Sequence, residues 1–257
     1  MVTQLLAIAL AMWSLQSLAA DSRDSLPGLL EAIKQARHSD GFEVRFAITA
    51  VDAQKLRTVP VKIAVIGQAN ADRQRFLVRG ISPDAVRNQH FVAENSAAGP
   101  IDAFEYGPDS EGHRISLDPF ARLFNTDFVM WDLFAVWWDW PHQIADGNGE
   151  VNGRSCLRVK SRPAVPMPVK EVVSCIDRET ALALSTQVYD AQHRLRRTIR
   201  VEKLMRKGSS EGLMAKKLSI LGEHGATSEI DVYGGDEQYR ISPETFGVLD
   251  RFLGKAN

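Results

Sequence analysis

The chain has 257 residues, 44% apolar and 25% charged, with a net charge of −1 from 31 basic and 32 acidic side chains. This is ordinary globular composition, with ample material for a core in one large domain or two small ones. Nothing in the charge balance points to a nucleic-acid partner.

Leu5–Leu18 is a short uncharged apolar run, and Ser17-Leu18-Ala19 or Leu18-Ala19-Ala20 precedes the first acidic residue, Asp21. That is the layout of a secretory leader with a small-residue cleavage site, so residues 1–20 are read as a signal peptide and residues 21–257 as one exported domain. No Lys or Arg precedes the run. A membrane anchor is the alternative, but about 14 apolar residues fall short of the roughly 20 that span a bilayer. No cysteine stands at the cleavage site, which argues against lipid attachment there.

Ser22–His38 reads as an amphipathic helix, with Leu26, Leu29, Leu30 and Ile33 at helical spacing. A long β-rich tract follows. Phe42, Val44, Phe46, Ile48 and Ala50 alternate with Glu43, Arg45, Ala47 and Thr49, the pattern of a half-buried strand. Val59–Gln68 and Arg73–Gly80 are the next strands, turned at Gly67–Asp72. Gln89–Ala93, Ile101–Tyr106 and His113–Leu117 are weaker candidates.

The segment Ser116–Ile144 then interrupts the β pattern. Four of the five tryptophans fall in it (Trp131, Trp137, Trp138 and Trp140), while Trp13 lies in the leader. Between Phe128 and Trp140 only Asp132 and Asp139 break the apolar run. Their spacing of seven places both on one stripe of a helix. Asn125, Thr126 and Asp127 offer N-cap chemistry, and Pro141 disfavours the α conformation at Trp140, so a helix is expected here. Each large aromatic has roughly 150–250 Å² to bury, worth on the order of 4–6 kcal/mol. Plain core, the lining of a lipid pocket and an exposed docking surface are the three readings of this cluster.

Strands resume at Val151–Arg162, Val169–Ile176, Ala181–Tyr189, Arg194–Leu204, Met214–Leu221 and Glu229–Tyr233, and a short helix is expected over Pro243–Leu253 with Ser242 as its N-cap. Cys156 and Cys175 lie in adjacent strand candidates around a proline-rich connection. In a hairpin the register can bring them opposite each other as a structural disulfide, and two buried free thiols are the alternative. Short turns between strands imply an antiparallel meander. The fold class is mainly β (α+β): about ten or eleven strands that close into a barrel or curl around helices.

Enzyme signatures do not appear: no phosphate loop, GxSxG or HExxH is present, and the six histidines show no metal spacing. Asp127, Asp132 and Asp139 fit cap and stripe roles better than catalysis. No cofactor or metal is expected. Arg194–Lys207 carries seven basic residues in fourteen, either a solvated strand face or a patch for anionic headgroups or an acidic partner.

The order of leader, amphipathic helix, antiparallel strands, aromatic helix and further strands resembles the outer-membrane lipoprotein-sorting protein family, the LolA-like periplasmic carriers and their uncharacterised relatives. The most similar tract is Asn125-Thr126-Asp127-Phe128 followed by Asp132-Leu133. The strands Val151–Arg162, Val169–Asp177 and Ala181–Tyr189 resemble that branch too. The early proline-and-arginine strand motif of the best-known carriers is missing, so no cavity arginine transfers.

The resemblance implies an unclosed antiparallel barrel covered by helices, with a hydrophobic cavity for acyl chains, in a monomeric, non-catalytic shuttle. Phe128, Trp131, Phe134, Trp137, Trp138 and Trp140 would form its cavity lining and lid. Its partners would be lipid or lipoprotein acyl chains, an inner-membrane transporter, which could be of the resistance-nodulation type, and an outer-membrane acceptor. A sensing or regulatory module on the same scaffold is the alternative.

Overall fold

The computed structural model describes residues 25–70, 72–96, 100–107, 115–206, 213–222 and 225–255, together with residues 7–8 and 10–11. Apart from those four residues the expected leader and its cleavage site lie outside the described residues, as do His113 and His224.

Thirteen strands form one antiparallel sheet. They are β1 (Ser39–Val51), β2 (Val61–Ala69), β3 (Arg73–Ser82), β4 (His90–Ser96), β5 (Ile101–Tyr106), β6 (Ile115–Ser116), β7 (His142–Val151), β8 (Arg154–Arg162), β9 (Val169–Ile176), β10 (Ala183–Asp190), β11 (Leu195–Arg206), β12 (Leu213–Leu221) and β13 (Thr227–Asp236). The spatial order is β6-β5-β4-β3-β2-β1-β13-β12-β11-β10-β9-β8-β7. Every neighbour is also a neighbour in sequence except at the centre, where β1 pairs with β13. The sheet is thus two meanders, β1–β6 and β7–β13, joined by the first and last strands.

The connection from β6 to β7, residues 117–141, must therefore run from one edge of the sheet to the other. It does so across the inner face. Phe42, Val44, Phe46, Phe76 and Phe91 of the first meander share one apolar cluster with Ile199, Leu218, Ile220 and Ile230 of the second. Phe128, Met130, Leu133 and Phe134 of the crossing segment belong to the same cluster. One face of both meanders can meet one short segment only if the sheet curls around it.

The alternation read in β1 holds from Val44 to Ile48, but Glu43 on the opposite face is buried too and Ala50 is only half-buried. In β2, by contrast, Ile63, Ala64, Val65 and Ile66 are buried without alternation. Both faces of that strand are covered, the inner by the crossing segment. On the outer, Phe246, Leu249 and Phe252 pack on Ile66, Leu77, Val92 and Phe104.

Four expectations are corrected and one short helix is new. The helix read at Ser22–His38 is α1 (Leu26–Ala36), which starts where the Ser25 hydroxyl accepts from the Gly28 N–H at 3.2 Å. The strand read as Val151–Arg162 begins only at Arg154 (β8), and Val151 is the last residue of a separate strand, β7, that the reading did not include. Asn152 (φ 50°) and Gly153 (φ 78°) make a two-residue turn, the left-handed pair that suits a hairpin. A four-residue helix, α2 (Asp84–Arg87), follows β3. The aromatic helix is broken: α3 (Met130–Phe134) and a 3-10 turn (Val136–Asp139) flank Ala135 at φ 45°. The last helix, α4, spans only Gly247–Phe252, because Ser242 and Thr245 bond to each other in a preceding turn.

Candidate functional site

The crossing segment has two sides, and its buried residues divide between them, with the half-buried Val136 packing on both. Phe128, Met130, Leu133 and Phe134 face the first apolar cluster. Val129, Trp131, Ala135, Trp137 and Trp138 join a second one, with Leu29, Ala32 and Ile33 of α1 and Leu157, Val159, Val172, Ile176 and Val188 of β8–β10. The break at Ala135 separates α3, with Trp131, from the turn that carries Trp137 and Trp138.

Of the six aromatic residues picked out in the sequence, five are deeply buried: Phe128, Trp131, Phe134, Trp137 and Trp138. Trp140 is partly buried against the second cluster. Phe134 meets Phe76 edge-on at 4.7 Å and Phe128 meets Phe46 at 6.3 Å. The tryptophans form a chain of their own, with Trp131 and Trp137 centroids 4.8 Å apart and Trp137 and Trp138 6.0 Å apart. Among the described residues, none of the three indole Nε1 donors of Trp131, Trp137 and Trp138 has an acceptor. An unmet buried donor costs about 1–3 kcal/mol.

Two arginines tie the segment to its walls. Arg197 of β11 donates to the Asp132 carboxylate at 2.6 Å and to the Asp127 carbonyl at 2.5 Å. Arg37, just beyond α1, donates to Asp139 at 2.9 Å and to the Phe134 carbonyl at 2.8 Å, closing the end of α3. Asp132 is fully enclosed. Burial pushes its carboxyl up to about 6, although the Arg197 charge pulls the other way. The caps expected from Asn125–Asp127 do not form at α3. Instead Thr126 bonds to the Leu123 carbonyl and the Asp127 carboxylate accepts from Ser228 at 3.0 Å.

Neither arginine stood out in the sequence, yet a signal was present for each. Arg37 stands four residues after Ile33 and eight after Leu29, on the apolar stripe of α1. Arg197 shares a strand face with Ile199 and Val201. The basic stretch Arg194–Lys207 is therefore neither all solvated face nor all patch, since one of its cations turns inward.

Beside the tryptophans lies a cavity of about 730 Å³, bounded by residues 118–129 of the crossing segment, the β9–β11 strands and the β12–β13 turn. Phe120, Val129, Pro168, Val169 and Val188 supply apolar wall, and Arg122, Arg194, Arg196 and Arg197 stand with Asp118, Asp127 and Asp190 around it. Phe120 stacks on Trp131 at 5.2 Å. Val129, Val169 and Val188 belong both to the cavity wall and to the tryptophan cluster. None of the six aromatics lines the cavity directly; they stand behind its wall.

A second hollow of about 780 Å³ opens on the outer face under the C-terminal segment. It is walled largely by polar groups such as Asp40, Arg75, Glu237 and Arg240, and no residue of the crossing segment reaches it. The 730 Å³ cavity is the one of these two that borders the tryptophan cluster.

Cys156 and Cys175 form a disulfide, with Cα atoms 5.4 Å apart. They are not directly opposite: Cys175 faces Arg158, so the bridge runs diagonally between β8 and β9.

Comparison with known proteins places this geometry. No curated protein sequence matches the chain. The solved structure of a domain named for outer membrane lipoprotein sorting, from Vibrio parahaemolyticus, is similar with a TM-score of 0.72 at 15% identity, over 88% of this chain and 98% of that one. A DUF1329 family protein from Desulfovibrio piger is similar with a TM-score of 0.73 at 15% identity, over 90% and 98%. A LolA superfamily protein from Nitrosomonas europaea is similar with a TM-score of 0.67 at 16% identity, over 86% and 96%. A family model described as that of an uncharacterized protein matches residues 72–226, more than half of the chain. The chain belongs to that family, and its unclosed, thirteen-stranded sheet with few helices has the LolA-like fold.

Proposed function

We propose that the protein is a periplasmic carrier that binds the acyl chains of a lipid or lipoprotein between the crossing segment and the curled sheet, and passes them towards the outer membrane without catalysis. The observation that carries this reading is the continuity of the 730 Å³ cavity with the tryptophan cluster through Val129, Val169 and Val188. In this reading an acyl chain that enters the cavity packs on Phe120, Val129, Val169 and Val188 and reaches the tryptophans by displacing those side chains. Each methylene so buried contributes about 0.8 kcal/mol. The name of the similar Vibrio domain supports the same direction of function, and the apolar leader read at residues 1–20 fits export.

In this reading Phe128, Trp131, Phe134, Trp137, Trp138 and Trp140 are a lid whose inner surface becomes ligand wall when it lifts. The Arg37–Asp139 and Arg197–Asp132 bonds hold it down. Handover calls for an inner-membrane transporter and an outer-membrane acceptor.

The test is native mass spectrometry of protein taken from the periplasm, with displacement of a fluorescent fatty-acid probe. Co-purifying lipid and saturable displacement are expected. An empty protein that also leaves the probe unbound would sink the proposal.

A further inference from the structure

The two apolar clusters use different aromatics. In the cluster that contains the first meander every aromatic is phenylalanine: Phe42, Phe46, Phe76, Phe91, Phe124, Phe128 and Phe134. The fully buried aromatics of the cluster behind the cavity are Trp131, Trp137 and Trp138. Phenylalanine would fill an apolar site there with no donor to satisfy, yet three indole N–H groups are enclosed without an acceptor. They stand in one continuous chain of rings, 4.8 and 6.0 Å between successive centroids. That chain meets the cavity wall where Trp131 stacks on Phe120. The donors are therefore concentrated beside the 730 Å³ cavity, whereas the phenylalanine cluster borders only a hollow of about 240 Å³ at Val151, Leu184 and Val201.

A saturated hydrocarbon offers such donors nothing. An acyl ester offers carbonyl oxygens, strong acceptors set within an otherwise apolar body, which water does not need to accompany into the interior. We propose that the indole N–H groups of Trp131, Trp137 and Trp138 are a recognition site for the ester carbonyls of an acylated lipid, so that the protein selects acyl esters over ethers and plain hydrocarbon. This rests on the carrier reading and narrows it to a ligand class.

The experiment compares a short-chain diacyl phospholipid with its dialkyl ether counterpart, matched in chain length and headgroup, by calorimetric titration of the whole mature protein. The ester is expected to bind tighter by roughly 5- to 30-fold, the factor for one or two hydrogen bonds of about 1 kcal/mol each. Indole N–H resonances should move downfield with the ester and stay in place with the ether. Trp137→Phe and Trp138→Phe keep an aromatic ring and remove the donor. They should lower ester affinity more than ether affinity, so that the ester-to-ether preference falls towards one. Equal affinity for ester and ether overturns this inference and leaves the carrier reading standing, as does a Trp→Phe change that weakens both ligands alike. Failure of both ligands to bind overturns the carrier reading and this inference together.

Discussion

Asp132 and Arg197 meet in an enclosed site where one carboxylate oxygen, Oδ1, and the guanidinium Nε keep no partner. A buried pair of this kind gains little in net stability but is costly to break, by about 3–5 kcal/mol when one partner is removed. Here the cost depends on pH. The Asp132 carboxyl is raised by burial to about 6 in the folded chain from 3.8, so the folded state holds its proton more tightly than the unfolded one. Its contribution to stability is fully present below about pH 4 and is lost as pH rises through 6, by on the order of 3 kcal/mol. Urea midpoints at pH 5 and pH 7.5 check this: Asp132→Asn should gain on the wild type at the higher pH. Arg197→Met should destabilise strongly at pH 7.5, where it leaves a bare carboxylate, and clearly less at pH 5, where Asp132 is neutral. A destabilisation independent of pH would show that the arginine acts by packing alone. Asp132 and Asp139 were legible as exceptions in an apolar run, but their partners lie 65 and 102 residues away. Spacing within a helix reports neighbours on that helix and carries no information about a strand brought in by the sheet.

At the scale of elements, the crossing segment shows where pattern reading stops. Its composition predicted deep burial, and five of the six aromatics are enclosed. Its heptad-spaced aspartates predicted one helix, and that failed at Ala135, whose left-handed φ of 45° no alanine announces. The reason is tertiary: Arg37 takes the Phe134 carbonyl that a continued helix would have used. A left-handed alanine costs about 1–2 kcal/mol, and a β-branched side chain would cost more while crowding a site that is only 3% exposed. Ala135→Val should therefore lower stability by about 2–4 kcal/mol in chemical denaturation. A neutral result would mean that the segment readily takes another backbone path. The Asn152-Gly153 turn is the opposite case, a strong hairpin signal in plain view. It is masked in the sequence because β7, an edge strand with few buried side chains, lacks the apolar alternation that marks its neighbours.

For the whole molecule, the meander was readable because nearly all strand partners are consecutive in sequence. The one exception, β1 beside β13, leaves no trace in local pattern, and with it went the knowledge that the two meanders form one sheet. The disulfide lies within the second meander, between β8 and β9, across a separation of 19 residues. A loop of that size is worth about 3 kcal/mol. Urea denaturation of the Cys156→Ala, Cys175→Ala double variant should show a loss of that order, and amide exchange should rise first in β8 and β9, the strands that the bridge joins. A loss spread evenly over both meanders would mean that the sheet unfolds as a single unit.

The connection between β6 and β7 has a mechanical consequence. A flap hinged at one edge swings clear of what it covers. Residues 117–141 are anchored at both edges of the sheet, so they behave as a strap: they can bow outward but cannot leave. The farther the edges part, the tighter the strap draws, and its contour length sets the widest mouth the molecule can present. In the carrier reading a ligand threads in beside the strap, where the 730 Å³ cavity lies, and stays corralled by a covalent loop even when every non-covalent bond to the walls has let go.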